Sequence, residues 1–463
     1  MTPLSYGEAR LASEEQRRLL LRVLSCDRAT KVTSTDPSRV YVPRTHATAT
    51  VPFRHRSAIL APVLLVFYIL VIAQILLGLY SLWTGFEWFQ MVRRRLSSHA
   101  GFYAPMAAIV CPCKGSERGL EENLAALTKF EYPNYEIYFS LATSLDPALK
   151  IIERVKAASP RPVHIVIAGP PEDCSEKVYN LRRAVDALPE KFEVMVFTDS
   201  DVRLPRGWLT KLIAPLQDPR IGATTAYRWL IPSGQIGAGG FASAMASAWN
   251  AAIATMLGRP RENFCWGGGT AIRRKTFDDA KVLEAWQGAA SDDFAMTRAL
   301  EEAGKLIVFC PECLAATLHP WTGAELLEFT NRQIQITRVY SPRRWMMGTV
   351  AHLSYSLTGI FAAVVILATM IEGDPWGQLV LVALAVPLLA AMKGAMRTIA
   401  VSELLPECKD KLREWGWVWF ALAPLVPFLF SWNFISSLLS KRIRWRGIRY
   451  ELVSPTATRI LKS

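Results

Sequence analysis

The sequence predicts an α/β protein with a mainly parallel sheet, combined with transmembrane helices. Short apolar runs rich in β-branched residues alternate with helical stretches after about residue 100, the pattern of βαβ units in a sheet covered on both faces. Uncharged stretches long enough to cross a bilayer as helices lie on both sides of this region. One apolar run, Val194–Phe197, stops abruptly in Thr198-Asp199-Ser200-Asp201. Two carboxylates at the C-terminal end of a buried strand sit where open α/β sheets bind their ligands.

Composition narrows the function classes. The 463 residues exceed one typical domain, and 51 % of them are hydrophobic. The net charge of +13 is not accompanied by a basic-aromatic reader motif, so no nucleic-acid partner is expected. Much of the excess lies beside hydrophobic spans, as the positive-inside pattern and anionic headgroups explain. Eight cysteines are scattered without a disulfide framework, and Cys310-Pro311-Glu312-Cys313 lacks the second pair a zinc site wants. Cys111 and Cys113 read as buried packing, and reduced, cytosol-facing thiols are the simplest account.

In chain order, residues 1–56 form an N-terminal arm, partly disordered, with a short helix expected at Glu14–Val23 and no cleavable signal pattern. Residues 57–86 read as a transmembrane helix; Arg54 and Arg56 precede it, and Arg93, Arg94 and Arg95 follow, which favours the later side as cytosolic. A cytosolic catalytic region spans 100–340, with strands at Met106–Val110, Tyr135–Ala142, Val163–Ile167 and Val194–Phe197 and helices between them. Within it, 230–258 is uncharged but dominated by Ala, Gly and Ser, which suits a helix at the membrane interface. Residues 345–440 hold a C-terminal membrane region of two or three spans, from candidates at Trp345–Ile371, Pro375–Met392 and Gly416–Ser440. The acidic link Glu372–Asp374 is expected outside, and the basic loop 393–415 inside. A full last span would put the basic tail 441–463 outside; re-entry at Pro424 and Pro427 would keep it inside, and both stay open.

Several motifs carry chemistry. Asp199 and Asp201 suit a hard divalent cation, Mg²⁺ or Mn²⁺, that would neutralise a diphosphate leaving group; alone, the same residues make an ordinary polar turn. Asp293 opens a helical stretch, where a carboxylate could act as general base or simply cap the helix, and Asp292 could take the capping role. Gln335 and Arg338, one turn apart, can present polar groups to one diphosphate, and Lys177 can do likewise or be a solvated charge. Gly267, Gly268 and Gly269 permit close backbone approach to a ligand, or make a flexible turn. His319-Pro320-Trp321 suits a rigid turn near the site or a packing role.

Taken together, these motifs resemble an inverting glycosyltransferase of the GT-A nucleotide-sugar fold, and more narrowly the ceramide glucosyltransferase family and its bacterial relatives, over about residues 57–450. Pro112-Cys113-Lys114-Gly115 is similar to the end of that family's first strand, and Asp146-Pro147-Ala148 falls where the family has an aspartate that contacts the nucleotide. Lys177-Val178-Tyr179-Asn180 looks like its KxxN element, and Asp199 and Asp201 like its metal-binding aspartates. Gly267–Gly269 followed by Arg273-Arg274-Lys275 resembles the acceptor-side glycine loop, and Ser291-Asp292-Asp293-Phe294 sits where the family has Glu-Asp before an aromatic residue. The last motif, QxxRW, is met by Gln335-Ile336-Thr337-Arg338-Val339, with Val in place of Trp; the register Arg332–Ile336 fits less well. Without a tryptophan to stack on a growing sugar chain, single transfer to a lipid is expected rather than polysaccharide synthesis.

The resemblance implies a multi-pass enzyme, more in keeping with a bacterial inner membrane than with Golgi or ER, whose catalytic domain faces the cytosol. It implies a UDP-sugar donor (glucose), a divalent metal, and ceramide as the membrane lipid acceptor. Asp293 would be the base; Asp146, Lys177 and Asn180, with Pro112, Lys114, Gln335 and Arg338, would bind the donor; Asp292 and the glycines would lie on the acceptor side. A hopanoid or polyprenyl-phosphate acceptor is the alternative, and a non-catalytic nucleotide-sugar-binding membrane protein a further one. The oligomeric state is left open.

Overall fold

The computed structural model of the protein describes residues 54–97, 101, 103–233 and 238–461. The chain divides into a unit Met1–Ala58 and a unit Ile59–Ser463. The expected arm, with its helix at Glu14–Val23, lies almost wholly outside the described residues.

Helix α1, Arg54–Ser97, runs 38 residues from Leu60 to Ser97, uncharged as far as Phe86 and then carrying Glu87 and Arg93–Arg95. At 1.5 Å per residue that is about 57 Å, nearly twice the ~30 Å hydrocarbon core of a bilayer. The surplus is used: Trp88 and Val92, near its end, are buried in the core of the α/β region, and Glu87 pairs with Arg259 at 2.6 Å. One continuous helix therefore both offers a span and anchors the soluble layer, rather than stopping at residue 86.

The α/β region begins with β1 (Ala107–Pro112), α2 (Leu120–Leu127), β2 (Tyr135–Leu141), α3 (Ala148–Ala158), β3 (Val163–Ile167), α4 (Glu176–Asp186) and β4 (Val194–Phe197). These follow the expected alternation closely. After them come β5 (Ile221–Thr225), β6 (Arg228–Ile231), α5 (Ala238–Ala254), β7 (Thr270–Arg273), α6 (Asp292–Glu302), β8 (Leu306–Phe309) and β9 (Ala315–Leu318). The main sheet has seven strands in the order β3-β2-β1-β4-β7-β5-β8, parallel except for β7. Alternate residues of β4 face opposite layers, as strand geometry requires: Val194 and Val196 join one hydrophobic core, Met195 and Phe197 the other. The strand is thereby fixed on both faces, and Asp199 and Asp201 follow directly from its end. The seven cysteines among the described residues are free and buried.

Helix α7 (Gly323–Tyr340) leads into α8 (Pro342–Glu372) and α9 (Gly377–Leu404). Among the described residues, α1, α8 and α9 are the three helices long and apolar enough to cross a membrane. Their outward faces carry exposed Leu65, Val350, Leu357, Ile371 and Leu381, as lipid-facing surfaces do. The pair α10 (Gly416–Leu422) and α11 (Val426–Leu439) is bent by 63° at the break that holds Pro424. A buried amide ties this bent pair to the soluble layer. Asn433 accepts from Trp249 Nε1 at 3.1 Å and donates to Thr330 Oγ1 and Asn331 Oδ1 at 2.9 Å each, linking α5, α7 and α11. Asn433→Ala would leave the Trp249 N–H buried and unsatisfied, so we expect a loss of about 1–3 kcal/mol, read as a lower midpoint in thermal or denaturant unfolding of the detergent-solubilised protein.

Residues 441–463, expected only as a basic tail, fold through Leu461 into an antiparallel sheet of β10 (Arg442–Trp445), β11 (Ile448–Ser454) and β12 (Ala457–Leu461). Arg446 and Gly447 turn the first hairpin with φ of 47° and 82°, the left-handed pair of a two-residue type I′ turn. This sheet packs on the α/β layer: Glu176 N donates to Tyr450 Oη at 3.3 Å, and Thr458 Oγ1 donates to the Gly288 carbonyl at 2.7 Å.

Candidate active site

Carboxylates and cations meet at the C-terminal end of β4. The loop after the strand is pinned by Thr198 Oγ1, which donates to the Gly268 carbonyl at 3.2 Å. Helix α4, capped by Ser175, sends Lys177 from its first turn across to this loop. Lys177 Nζ lies 2.8 Å from Asp199 Oδ1 and 3.0 Å from Asp292 Oδ1, bridging a half-buried and a buried carboxylate. From β6, Arg228 reaches Asp199 Oδ2 at 3.2 Å and Asp201 Oδ2 at 3.4 Å, with its guanidinium 5.3 Å above the Trp266 ring. The outer oxygens are thus balanced, but Asp201 Oδ1 and Asn180 Oδ1 are buried with no hydrogen-bond partner.

The charges follow from these contacts. Burial disfavours the Lys177 ammonium, yet Asp199, Asp292 and Asp293 outweigh it and hold its pKa well above the ordinary range. Burial also works against the Asp199 carboxylate, and Lys177 and Arg228 overcome it, keeping that group below its usual value. Asp292 behaves oppositely: burial pushes its carboxyl up to about 6 from 3.8, against the attraction of Lys177. The folded state therefore holds a proton that the unfolded chain releases between about pH 4 and 6. Any stability from that proton is present below this window and lost as pH rises through it. We expect the melting midpoint of the wild type to fall relative to Asp292→Asn as pH is raised from about 4 to about 6, measured by scanning fluorimetry.

The expected site residues divide in a definite way. Pro112, Lys114, Lys177, Asn180, Asp199, Asp201, Gly267, Asp292 and Asp293 all line one cavity of about 1170 Å³. Asp293 accepts from Ser291 Oγ and from Phe294 N, both through Oδ1. Asp292 is no cap, since the N-cap of α6 is Ser291 and the Asp292 carboxylate is spent on Lys177. Asp146 does not line the cavity; its Oδ1 accepts from Gly115 N at 2.8 Å and Ala148 N at 2.9 Å, fastening the loop that carries Lys114. Of the glycines only Gly267 lines the cavity, and a Cβ there would stand 2.5 Å from Asp292 Oδ2 and 2.6 Å from Lys177 Nζ. Gly268 and Gly269 instead make room for Trp266 and for Trp208 with Ala226, a packing role rather than an acceptor-side one.

Gln335 and Arg338 are not brought to the cavity. Gln335 is buried, and Arg338 donates to the Ser437 carbonyl and lies 5.7 Å from the Trp345 ring. The helical phase explains this: on α7 the cavity face carries Arg332, Gln333, Ile336 and Thr337, so Arg332 of the other register is the residue that arrives. Burial pushes its pKa down to about 10, helped by Arg228 and Arg446. The Arg332 guanidinium sits 5.6 Å from the Trp445 ring, which the C-terminal hairpin brings in from far along the chain. Arg446, beside it, pairs with Glu117 at 3.2 Å and donates to the Lys114 carbonyl at 3.1 Å. Arg228, Trp445 and Arg446 are thus lining residues that sequence reasoning missed, and Arg332 is one it set aside with the register that fitted less well. Among the described residues no group of three or more His, Cys, Asp or Glu side chains is assembled as a metal cage.

The cavity does not end at the carboxylates. It continues between the long helices, where α1 contributes Leu77 and Gly78, α8 Met347 and Tyr355, α9 Val386 and Leu389, and α11 Phe430.

A family model described as glycosyl transferase family 21 matches residues 64–458. No curated protein matches the chain. Among solved structures, a mannosyltransferase from Pyrobaculum calidifontis in complex with GDP-Man and Mn²⁺ is similar at 16 % identity and a TM-score of 0.46, over 79 % of this chain and 99 % of that one. Glucosyl-3-phosphoglycerate synthase from Mycobacterium tuberculosis, with Mn²⁺, UDP and glucosyl-3-phosphoglycerate, is similar at 14 % identity and a TM-score of 0.31, over 50 % of this chain and 79 % of that one.

Proposed function

Since the chain belongs to glycosyl transferase family 21 and is therefore a glycosyltransferase of the α/β nucleotide-sugar class, we propose that it moves glucose from UDP-glucose to the hydroxyl of a membrane lipid, ceramide first among the candidates. One observation carries the lipid half of this reading: a single cavity joins the carboxylate cluster to the space between α1, α8, α9 and α11. A soluble acceptor needs no such extension, whereas a lipid can keep its chains among the helices while its hydroxyl reaches Asp293.

Asp293 would take the proton of that hydroxyl as it attacks the anomeric carbon, and one displacement from the opposite face inverts configuration. Lys114, Lys177, Arg228 and Arg446 line the donor end paired with its carboxylates, and Arg332 adds a further guanidinium; these N–H groups would engage a diphosphate. Asp199 and Asp201 fit a Mn²⁺ or Mg²⁺ ion, because two carboxylates, one with a buried unpartnered oxygen, are what such an ion takes when diphosphate oxygens and water complete its shell. When bound, the ion would supply charge stabilisation to the leaving UDP. Asn180, with its own unpartnered oxygen, would hold a donor N–H or O–H.

In this reading three spans, α1, α8 and α9, with the bent pair α10–α11 re-entering, would keep the C-terminal sheet on the same side as the catalytic layer. Helix α9 runs on to Leu404 through the first part of the loop expected at 393–415, and Lys409, Lys411 and Arg413 just beyond it support taking that side as cytosolic. The test is UDP release from UDP-glucose by purified full-length protein with Mn²⁺, with and without ceramide. Ceramide-dependent release that EDTA abolishes is expected; release indifferent to every added lipid would remove the acceptor assignment.

A further inference from the structure

Two basic side chains lie in the membrane half of the cavity without a carboxylate. Lys393 and Arg397 are one turn apart on α9, so they share a face, and both line the cavity. Neither forms an ion pair among the described residues. Lys393 Nζ donates to Ser81 Oγ of α1 at 2.7 Å, and Arg397 Nε is buried with no hydrogen-bond partner. Space is made for this arrangement: a Cβ on Gly85 of α1 would meet the Lys393 stem at 3.2 Å. Two like charges at i,i+4 among apolar helices repel each other, and leaving a buried guanidinium N–H unsatisfied costs free energy. Ionisable residues in membrane segments that face an interior cavity and have no carboxylate to neutralise them are candidates for a functional site by default.

Position along the helix identifies the kind of ligand. Lys393 and Arg397 stand 16 and 20 residues after Gly377, or about 24 and 30 Å along the axis, close to the thickness of the hydrocarbon core. With three spans and the basic residues Lys409, Lys411 and Arg413 cytosolic just past the end of α9, this is the cytosolic headgroup level, where anionic lipid groups reside.

We propose that Lys393 and Arg397 form a binding site for a phosphate-type anionic group carried by a membrane lipid, whose chains lie between α1, α8 and α9. The site is separate from the carboxylate cluster and rests on reading the cavity as open to lipid. It gives the enzyme a preference for an anionic lipid as a bound companion to the acceptor, a need that neutral ceramide does not satisfy.

The experiment needs neither donor nor transfer, so its outcome is independent of the sugar and acceptor assignments. Full-length protein in neutral detergent is titrated with phosphatidylglycerol, with diacylglycerol of the same chains, and with inorganic phosphate, and retained lipid is counted by native mass spectrometry. Wild type is expected to retain one phosphatidylglycerol in preference to diacylglycerol. Lys393→Gln/Arg397→Gln should bind it at least tenfold more weakly, while Arg397→Lys, which keeps the charge, stays near wild type and controls for folding. UDP affinity should be unchanged in all three. Equal retention of phosphatidylglycerol by wild type and the double variant, or equal retention of diacylglycerol and phosphatidylglycerol, overturns the proposal. Competition by millimolar inorganic phosphate as effective as the lipid itself would overturn the lipid assignment.

Discussion

Asp293→Asn lowers sugar transfer by about 10²–10⁴-fold, the usual contribution of a positioned general base, with little change in melting midpoint. The expectation rests on where this carboxylate stands. Its Oδ1 is held by Ser291 Oγ and the Phe294 amide, so the group is oriented at the start of α6 while it faces the cavity. Asparagine keeps an oxygen for both bonds but has no basicity. Asp293 forms no direct ion pair with Lys177, although its charge adds to the field there, so the substitution leaves the Lys177 pairs with Asp199 and Asp292 in place. The readout is transfer rate at saturating donor, together with the melting midpoint and UDP affinity. A variant that transfers at the wild-type rate would remove Asp293 from the role of base.

Lys177→Met has the larger effect on the folded state. The ammonium bridges Asp199 and Asp292, whose side chains are only 17 % and 5 % exposed, and methionine would leave both carboxylates facing each other without a cation between them. Removing one partner of a buried ion pair costs about 3–5 kcal/mol, because the other charge stays desolvated. Asp292, already pushed up to about 6 by burial, would be driven further towards the neutral form. Stability is expected to fall most above about pH 6, where the wild-type Asp292 is ionised, and less below it. A midpoint unaffected at neutral pH would show that water or a rearranged Arg228 replaces the lysine. The double variant Lys177→Met/Asp292→Leu is expected to recover part of the loss, since it removes the stranded charge along with its partner.

How much of this was legible in the sequence depends on distance along the chain. The first four strands and their helices could be read, because each is a continuous run with clear punctuation, and β4 ends in its two aspartates. Lys177, Asn180, Asp199, Asp201 and Asp293 converge because they sit on strand ends and helix starts at one edge of the sheet, an arrangement the α/β pattern itself dictates. Arg228 was missed because β6 is a four-residue strand with no periodicity to announce it. Trp445 and Arg446 were missed because five basic residues, Lys441 to Arg449, mask the alternation of Ile443, Trp445, Ile448, Tyr450 and Leu452. The Arg446-Gly447 turn was the available signal.

The misplacement of Gln335 and Arg338 has a different origin. A motif fixes which residue types occur, but the helical phase decides which of two neighbouring registers faces the site, and α7 turns Arg332 inward. The indole that packs on Arg332 is Trp445, which comes from the other end of the fold. The Ala, Gly and Ser of 230–258 have a packing use too: small residues let α5 lie close to α7, α10 and α11, with Trp249 stacked on Phe430 at 4.8 Å.

The central claim is sugar transfer from a UDP-sugar to a lipid hydroxyl inside one continuous cavity. It is tested most directly by incubating purified full-length protein with isotopically labelled UDP-glucose, Mn²⁺ and mixed vesicles containing ceramide, then analysing the lipid fraction by mass spectrometry and NMR. Label is expected in a β-linked hexosyl lipid, and is expected to be absent with Asp293→Asn. Label found only as free glucose, or an α-linked product, would contradict the claim.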